Sequence, residues 1–209
     1  MGSHLSSDYH WPTAELGASH DYLLPGVLKA LGGIDWRGGP RRVFEVGSGN
    51  GAMANQLHER GYEVTGVEPS EHGMAQARRA YPTLALHLGS TDDDLPARFG
   101  TFPAVVSVEV VEHVYAPRAY AACVYRLLEP GGTAILTTPY HGYWKNLAIA
   151  LTDKTDVHLN PLWDNGHIKF WSMKTLTRLL EEVGFRSVRY ERVGRIPALA
   201  KSMVAIALK

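Results

Sequence analysis

The stretch VFEVGSGNG, Val43–Gly51, constrains this chain more than any other. A short apolar run gives way at once to three glycines separated by small polar residues. Directly after them, Ala52–Arg60 places Met53, Ala54 and Leu57 at helical spacing. Strand, tight glycine turn and helix follow from that order. The alternation then recurs. Tyr62–Val67, Leu84–Leu88, Ala104–Val108 and Thr133–Thr137 read as strands. Glu71–Ala80 and a segment from Pro117 to about Leu128 read as helices, with Pro117 in the first turn and Leu127–Gly132 ending the helix in Pro and Gly. Ser172 caps a helix from about Lys174 to Val183, and Gly184 stops it. Arg186–Val193 and Ser202–Leu208 suit an antiparallel pair. Apolar strands alternating with helices require a sheet covered on both faces. The expected fold is α/β and doubly wound: a mostly parallel seven-stranded sheet with an antiparallel C-terminal hairpin. Ligands of such sheets bind beyond the carboxyl ends of the strands.

Composition narrows the function classes. The 209 residues, 45% hydrophobic, suffice for one domain with a substantial core. Lys and Arg number 21, as do Asp and Glu, which argues against a nucleic-acid partner. Cys123 is the one cysteine, so no intramolecular disulfide forms, and mid-helix it reads as a small buried hydrophobe. No apolar run of membrane-spanning length is present. A soluble cytoplasmic protein, monomer or homodimer, is expected. Residues 1–4 (MGSH) look like a tag remnant.

Glu45 decides between two cofactor classes. Gly47–Ala52 (GSGNGA) fits the dinucleotide pattern, and Glu68 lies 19 residues after Gly49, where a ribose-binding acid belongs. Strand side chains alternate, so Glu45 shares a face with Gly47 and points near the loop. A pyrophosphate there meets a partly buried carboxylate, a repulsion on the order of several kcal/mol at contact distance. A cationic ligand is attracted instead. S-adenosylmethionine, with an α-ammonium and a sulfonium, is such a ligand. An NAD-dependent oxidoreductase is thus opposed by Glu45, and a non-catalytic cofactor-binding module by the His-rich insertion described below.

Several segments together resemble the class I S-adenosylmethionine-dependent methyltransferases. VFEVGSGNG is similar to their first motif, VTGVEPS (Val64–Ser70) to their second, and LGSTDDDLP (Leu88–Pro96) to the segment bordering the adenine. VVSVEVVEHV (Val105–Val114) resembles the fourth-strand motif, LLEPGGTAILTTP (Leu127–Pro139) the helix end and fifth strand, and Gly166–Phe185 the helix before the hairpin. The likeness covers roughly residues 40 to 190 in order, and the EVVEHV stretch draws it toward the ubiquinone-biosynthesis O-methyltransferase type. The resemblance implies the Rossmann-like methyltransferase fold and a cofactor site of Glu45, Gly47, Ser48, Gly49, Glu68, Pro69, Ser90, Thr91, Val108 and Glu109. Gly47 and Gly49 let the backbone approach the methionine part, and Glu68 accepts the ribose hydroxyls. Asp92–Asp94 reads as a solvated acidic turn.

The sulfonium methyl is already reactive, so the expected tasks are in-line placement and, for a hydroxyl acceptor, proton removal. Pro139–Trp171 is the expected acceptor-binding insertion: 33 residues with three histidines, two tyrosines and three tryptophans, and no other insertion is long enough. Tyr140, Trp144, His158, Trp163 and His167 are the acceptor-contact candidates. His141, nearest the end of the fifth strand, is the first candidate base and His113 the second; each is weighed against a packing role. Glu109, Glu112 and His113 share one face at helical spacing and would suit a divalent ion, as is implied for some ubiquinone-type relatives, but cofactor contact and packing are the expected roles. Residues 5–40 are expected to form an N-terminal helical lid, with Tyr9, Trp11 or Tyr22 closing the site or packing on the flank of the 41–209 domain.

Overall fold

The computed structural model describes Trp11 and residues 13–209; the tag-like residues 1–4 and Tyr9 lie outside the described residues. Seven strands form one sheet in the order β3-β2-β1-β4-β5-β7-β6. In chain order they are β1 Arg42–Val46, β2 Glu63–Glu68, β3 Ala85–Leu88, β4 Phe102–Val108, β5 Leu128–Pro139, β6 Ser187–Val193 and β7 Ser202–Leu208. The helices are α1 His20–Gly32, α2 Ala52–His58, α3 Glu71–Ala80, α4 Leu95–Phe99, α5 Pro117–Leu127, α6 Tyr143–Leu151, α7 Thr155–His158 and α8 Met173–Glu182. Strands β1 to β5 are parallel, while β7 runs antiparallel to both β5 and β6. This is the doubly wound sheet with a C-terminal hairpin that the strand–helix alternation requires.

Strand alternation splits the core in two. Val43, Val64, Val106 and Ile135 pack with Val27 and Leu31 of α1, Leu57 of α2 and Met74 of α3. Phe44, Val46, Val105 and Leu136 pack on the other face with Leu95 of α4, Val124 of α5 and Leu176 and Leu180 of α8. The central strands β1, β2, β4 and β5 therefore carry buried apolar residues on both sides, as covered parallel strands must. Glu45 is the exception inside β1, and it falls on the Val43 face.

Two local expectations change. The fifth strand begins at Leu128, directly where α5 ends, instead of at Thr133. Glu-Pro-Gly-Gly is carried inside the strand through a register irregularity against β4, so those residues bend the chain without ending its pairing. Among the described residues of the N-terminal segment, the helix begins at His20, and Leu23, Val27 and Leu31 are buried against the sheet. The body of α1 is a sheet-covering helix, and Trp11, Ser19, His20 and Tyr22 line the site.

The sheet order reverses direction between β1 and β4, since β1 is paired with β2 on one side and β4 on the other. A crevice opens at the carboxyl ends of such a pair, and ligands use it. Pairing of Pro139 with Ser202 brings the start of β7 to that same edge. The β6–β7 connection, 194–201, therefore stands beside the 139–171 insertion over the crevice.

Candidate active site

A cavity of roughly 400 Å³ fills the crevice. Loop β1–α2 supplies Glu45, Gly47, Ser48, Gly49 and Asn50, the end of β2 supplies Glu68 and Pro69, and the end of β4 supplies Val108, Glu109 and Val110. The glycine turn is tied to β2, where Gly47 N and Ser48 N both donate to Val67 O at 2.9 Å. Gly47 has φ +76°, and a Cβ there would lie 2.5 Å from Val110 Cγ2. Gly49 has φ +53°, with Trp11 Cζ2 2.9 Å from where its Cβ would be. Both positions require glycine for conformation and for space. Asn50 fastens the N-terminal segment to the loop, its Nδ2 donating to Thr13 O at 2.8 Å and Glu15 O at 3.0 Å.

Glu68 is a buried clamp. Its Oε2 accepts from Gly49 N at 2.8 Å and its Oε1 from Ser70 N at 2.9 Å. Each carboxylate oxygen has a second lone pair, so ribose hydroxyls remain within its capacity. Burial pushes its pKa up to about 7, against the pull of those two N–H groups. Glu45 differs. It is 1% exposed, and its Oε2 has no hydrogen-bond partner. Burial, with the charge of Glu68 second, raises its pKa to about 8. A buried carboxyl with an orphaned oxygen aimed at a cavity is a site prepared for a cation or a strong donor. An α-ammonium fits it and a pyrophosphate does not.

Glu109 sits just past β4 in the left-handed region at φ +53°, an uncommon conformation for a side chain that is not glycine. Its N–H donates to Thr137 Oγ1 at 3.0 Å, and Thr137 Oγ1 donates to Glu109 Oε1 at 2.9 Å. Burial raises its pKa to about 7, while hydroxyls of Thr137 and Ser202 and the charge of Lys145 hold it down. Glu112 is fully buried and neither carboxylate oxygen has a hydrogen-bond partner. Its pKa is driven well up by burial and by Glu109.

The one candidate metal set of the sequence, Glu109, Glu112 and His113, is not the set that the structure gathers. Ligand atoms of Glu112, His113 and His167 lie within 4.8 Å of one another, and His167 Nε2 is 4.0 Å from Glu112 Oε1. His167, read from sequence only as an acceptor contact, joins that group in place of Glu109. The joining is made by the backbone, since Ile168 N and Lys169 N both donate to Glu112 O. His113 Nδ1 lies 3.1 Å from the carbonyls of Asn165 and Gly166, which places its proton there and its lone pair on Nε2. Burial lowers the pKa of His113, and that of His167 falls to about 4 through burial and the neighbouring His113 and His141. Two neutral imidazoles and a buried carboxylate are a donor set that suits a divalent ion.

The insertion is only partly in the site. Trp163, Asn165 and His167 line the cavity, as do His113, Trp11, Ser19, His20 and Tyr22. His141, Tyr140, Trp144 and His158 do not. His141 packs its ring on Phe170 at 5.1 Å, and its N–H donates to Trp171 O. Proximity in sequence to the strand end did not carry its side chain to the chemistry, because the chain turns into α6 within two residues. Ser90 and Thr91 are buried in the turn after β3, outside the lining; Ser90 N donates to Asp93 Oδ2 at 2.8 Å and Asp94 pairs with Arg126. That acidic turn is held by its own contacts. Sequence reasoning missed Asn50, Met53, Val110 and Asn165. Asn50 was inside the quoted glycine loop, and Asn165, at φ +59°, carried the signal of an Asn-Gly turn.

The methyltransferase-domain family matches residues 18–190. The chain belongs to this family, and its fold is that of the class I S-adenosylmethionine-dependent methyltransferases. It is similar to a ubiquinone biosynthesis O-methyltransferase of Dinoroseobacter shibae, 30% identical over 151 residues that cover 70% of this chain and 60% of that protein. A namesake from Azoarcus is 25% identical over 182 residues, covering 80% of this chain and 78% of the relative. The chain spans about half to two thirds of the length of other curated relatives it matches. Among solved structures, an S-adenosylmethionine-dependent methyltransferase from Archaeoglobus fulgidus superposes with TM-score 0.65 at 16% identity, covering 90% of this chain and 91% of the other. One from Mesorhizobium loti gives 0.62 at 21%, covering 87% and 96%. These structural likenesses speak for the fold alone.

Proposed function

We propose that this protein transfers the methyl group of S-adenosylmethionine to a hydroxyl oxygen of a small acceptor. The observation that carries the cofactor half is the orphaned carboxyl oxygen of buried Glu45 beside the glycine turn. The sulfonium supplies an electrophilic methyl group. Glu45 pairs with the ammonium, Glu68 holds the ribose, and the backbone at Gly47 and Gly49 allows close approach. Trp163 lines the cavity beside His113 and His167 and offers an apolar surface to the acceptor. His113 takes the hydroxyl proton on Nε2, which its Nδ1 contacts leave as the basic nitrogen, and its lowered pKa keeps it unprotonated at neutral pH. The hydroxyl choice draws support from the names of the O-methyltransferase relatives and from His113 in the cavity wall.

Calorimetry tests the cofactor reading. S-adenosylhomocysteine should bind in the micromolar range and NAD should not, and Glu45→Gln should weaken S-adenosylhomocysteine by about tenfold or more, a charge-assisted hydrogen bond being worth roughly 1.5–3 kcal/mol. Equal binding of NAD would defeat the proposal.

One observation favours a second, metal-assisted reading: Glu112 is buried with both oxygens unpartnered, 4.0 Å from His167. Glu112, His113 and His167 would hold a divalent ion that polarises the acceptor hydroxyl. Chelator should then abolish turnover and Mg²⁺ or Zn²⁺ restore it, with metal binding lost in His167→Ala. Full turnover in excess chelator leaves His113 as an unassisted base.

A further inference from the structure

One wall of the cavity comes from the start of the chain. Trp11 lines it together with Gly49, Glu68 and Pro69. Its indole lies across two glycines of different elements. A Cβ on Gly49 would stand 2.9 Å from Trp11 Cζ2, and a Cβ on Gly73 would stand 2.6 Å from Trp11 Cζ3. Gly49 is the residue whose N–H the Glu68 carboxylate holds. Gly73 is buried in the first turn of α3, where glycine is a poor helix residue. The space that its missing side chain leaves is the space that the indole fills.

The chain behind Trp11 is held by side chains that reach for its backbone. No residue from Thr13 to Ser19 is buried, and Thr13 and Glu15 are exposed. Among the described residues, no backbone hydrogen bond joins Thr13–Glu15 to the sheet or its helices. Asn50 Nδ2 donates to Thr13 O and Glu15 O, the Tyr81 hydroxyl donates to Ala14 O at 2.7 Å, and Gln76 Nε2 donates to Trp11 O. Asn50 belongs to the glycine loop, Gln76 to α3 and Tyr81 to the end of α3. Gln76 and Tyr81 do not line the cavity, so they act on the segment and not on a ligand. A stretch held by hydrogen bonds, with little buried apolar surface, opens locally while the body of the protein stays folded.

We propose, resting on the transferase reading above, that Trp11 is a further cofactor-binding residue. Its indole covers the ribose that Glu68 holds, at the head of a strap, Trp11 and Thr13–Glu15, that Asn50, Gln76 and Tyr81 latch over the cavity. Gln76 and Tyr81 are positioning residues, since they reach the cofactor only through the strap. S-adenosylmethionine enters and S-adenosylhomocysteine leaves when the latch releases, so the strap sets how long the product stays bound. The latch takes hold of carbonyl oxygens, which any residue offers. That is why the pattern of side chains in this segment marks Trp11 and not the positions that fasten it.

The test uses the full chain and S-adenosylhomocysteine. Gln76→Ala/Tyr81→Phe removes two latch bonds without touching the cavity lining. Its S-adenosylhomocysteine dissociation rate, read by stopped-flow displacement, should rise by about tenfold or more, as the loss of two ordinary hydrogen bonds predicts. Trp11→Ala should bind S-adenosylhomocysteine about tenfold more weakly, and Trp11→Phe should recover most of that affinity by putting a ring back over the ribose. Glu15 supplies a readout on the unaltered protein, so the test stands even where a variant fails to fold. A glutamate-specific protease should cut after Glu15 in the free protein. Ligand at about ten times its dissociation constant should slow that cut by about tenfold, because cleavage follows the open population. A cut indifferent to the ligand, an unchanged dissociation rate in the folded double variant, or full affinity in Trp11→Ala overturns the proposal. If the unaltered protein does not bind S-adenosylhomocysteine at all, the function proposed above falls and this inference with it. If it binds while exchange ignores the strap, only this inference falls.

Discussion

The two halves of the cavity are built on opposite plans. In the cofactor half, short turns at strand ends are tied to one another, Gly47 and Ser48 to Val67 and Gly49 and Ser70 to Glu68, while Glu45 keeps an oxygen without a partner. In the acceptor half, long segments arrive from far along the chain. His113 rests on the carbonyls of Asn165 and Gly166, more than 50 residues away, and α6 has no buried residue. Rigid strand ends suit a cofactor of constant shape. A surface assembled from a long insertion is free to vary with the acceptor. One half identifies the chemistry and the other the molecule on which it acts.

The largest expected effect probes which side chain spans the two halves. His113→Ala should lower turnover by roughly 10²–10⁴-fold with unchanged S-adenosylmethionine affinity, as for a lost general base. His141→Ala should change turnover far less, because its ring packs on Phe170 outside the cavity. A reversed pair of results, measured by steady-state kinetics on any accepted hydroxyl compound, would return the base to His141 and dissolve the distinction between lining and flanking residues.

The same contrast decides which parts of the molecule can be read from the sequence. The doubly wound, mostly parallel sheet, the hairpin and the glycine loop were legible because they depend on local alternation and on residues such as Gly47 whose backbone conformation no other residue adopts cheaply. The Glu45 carboxyl could be placed by period-two counting alone. The acceptor half resisted because sequence distance is a poor guide across an insertion. His141 is two residues past β5 yet does not line the cavity, whereas His167, 28 residues past it, returns to His113 with ring centres 4.9 Å apart. Strand β5 overran its expected start since pairing with β4 outweighed the Pro-Gly signal.

A middle-sized effect concerns stability. Glu45, Glu68, Glu109 and Glu112 all have pKa values raised by burial, so the folded protein holds protons that the unfolded chain releases. Between about 6.5, above which the histidines lowered by burial are neutral in both states, and about 8, the native state binds more protons, and stability falls as pH rises. The melting temperature of the free protein should therefore drop over that interval, by several degrees for each kcal/mol lost. Bound S-adenosylhomocysteine should flatten the slope by pairing its ammonium with Glu45, and Glu45→Gln should flatten it without ligand. A melting temperature that rises over that interval would mean these carboxyls are compensated in the free protein.

The smallest expected effect separates two tryptophans of one insertion. Trp163 lines the cavity and packs against His167 at 5.0 Å between ring centres. Trp144 is 64% exposed on α6, touches Tyr143 and is absent from the lining. Removing an indole that contacts the acceptor loses apolar area and aromatic packing, about 1 kcal/mol or more. Trp163→Ala should accordingly raise the acceptor KM by about fivefold or more, since 1.4 kcal/mol is a factor of ten. Trp144→Ala should leave KM and cofactor affinity unchanged and shift stability by less than about 0.5 kcal/mol, as for an exposed site. A raised KM in Trp144→Ala would show that α6 folds down over the acceptor during turnover. The contrast between a fixed cofactor half and an adaptable acceptor half would then be one of motion as well as of sequence.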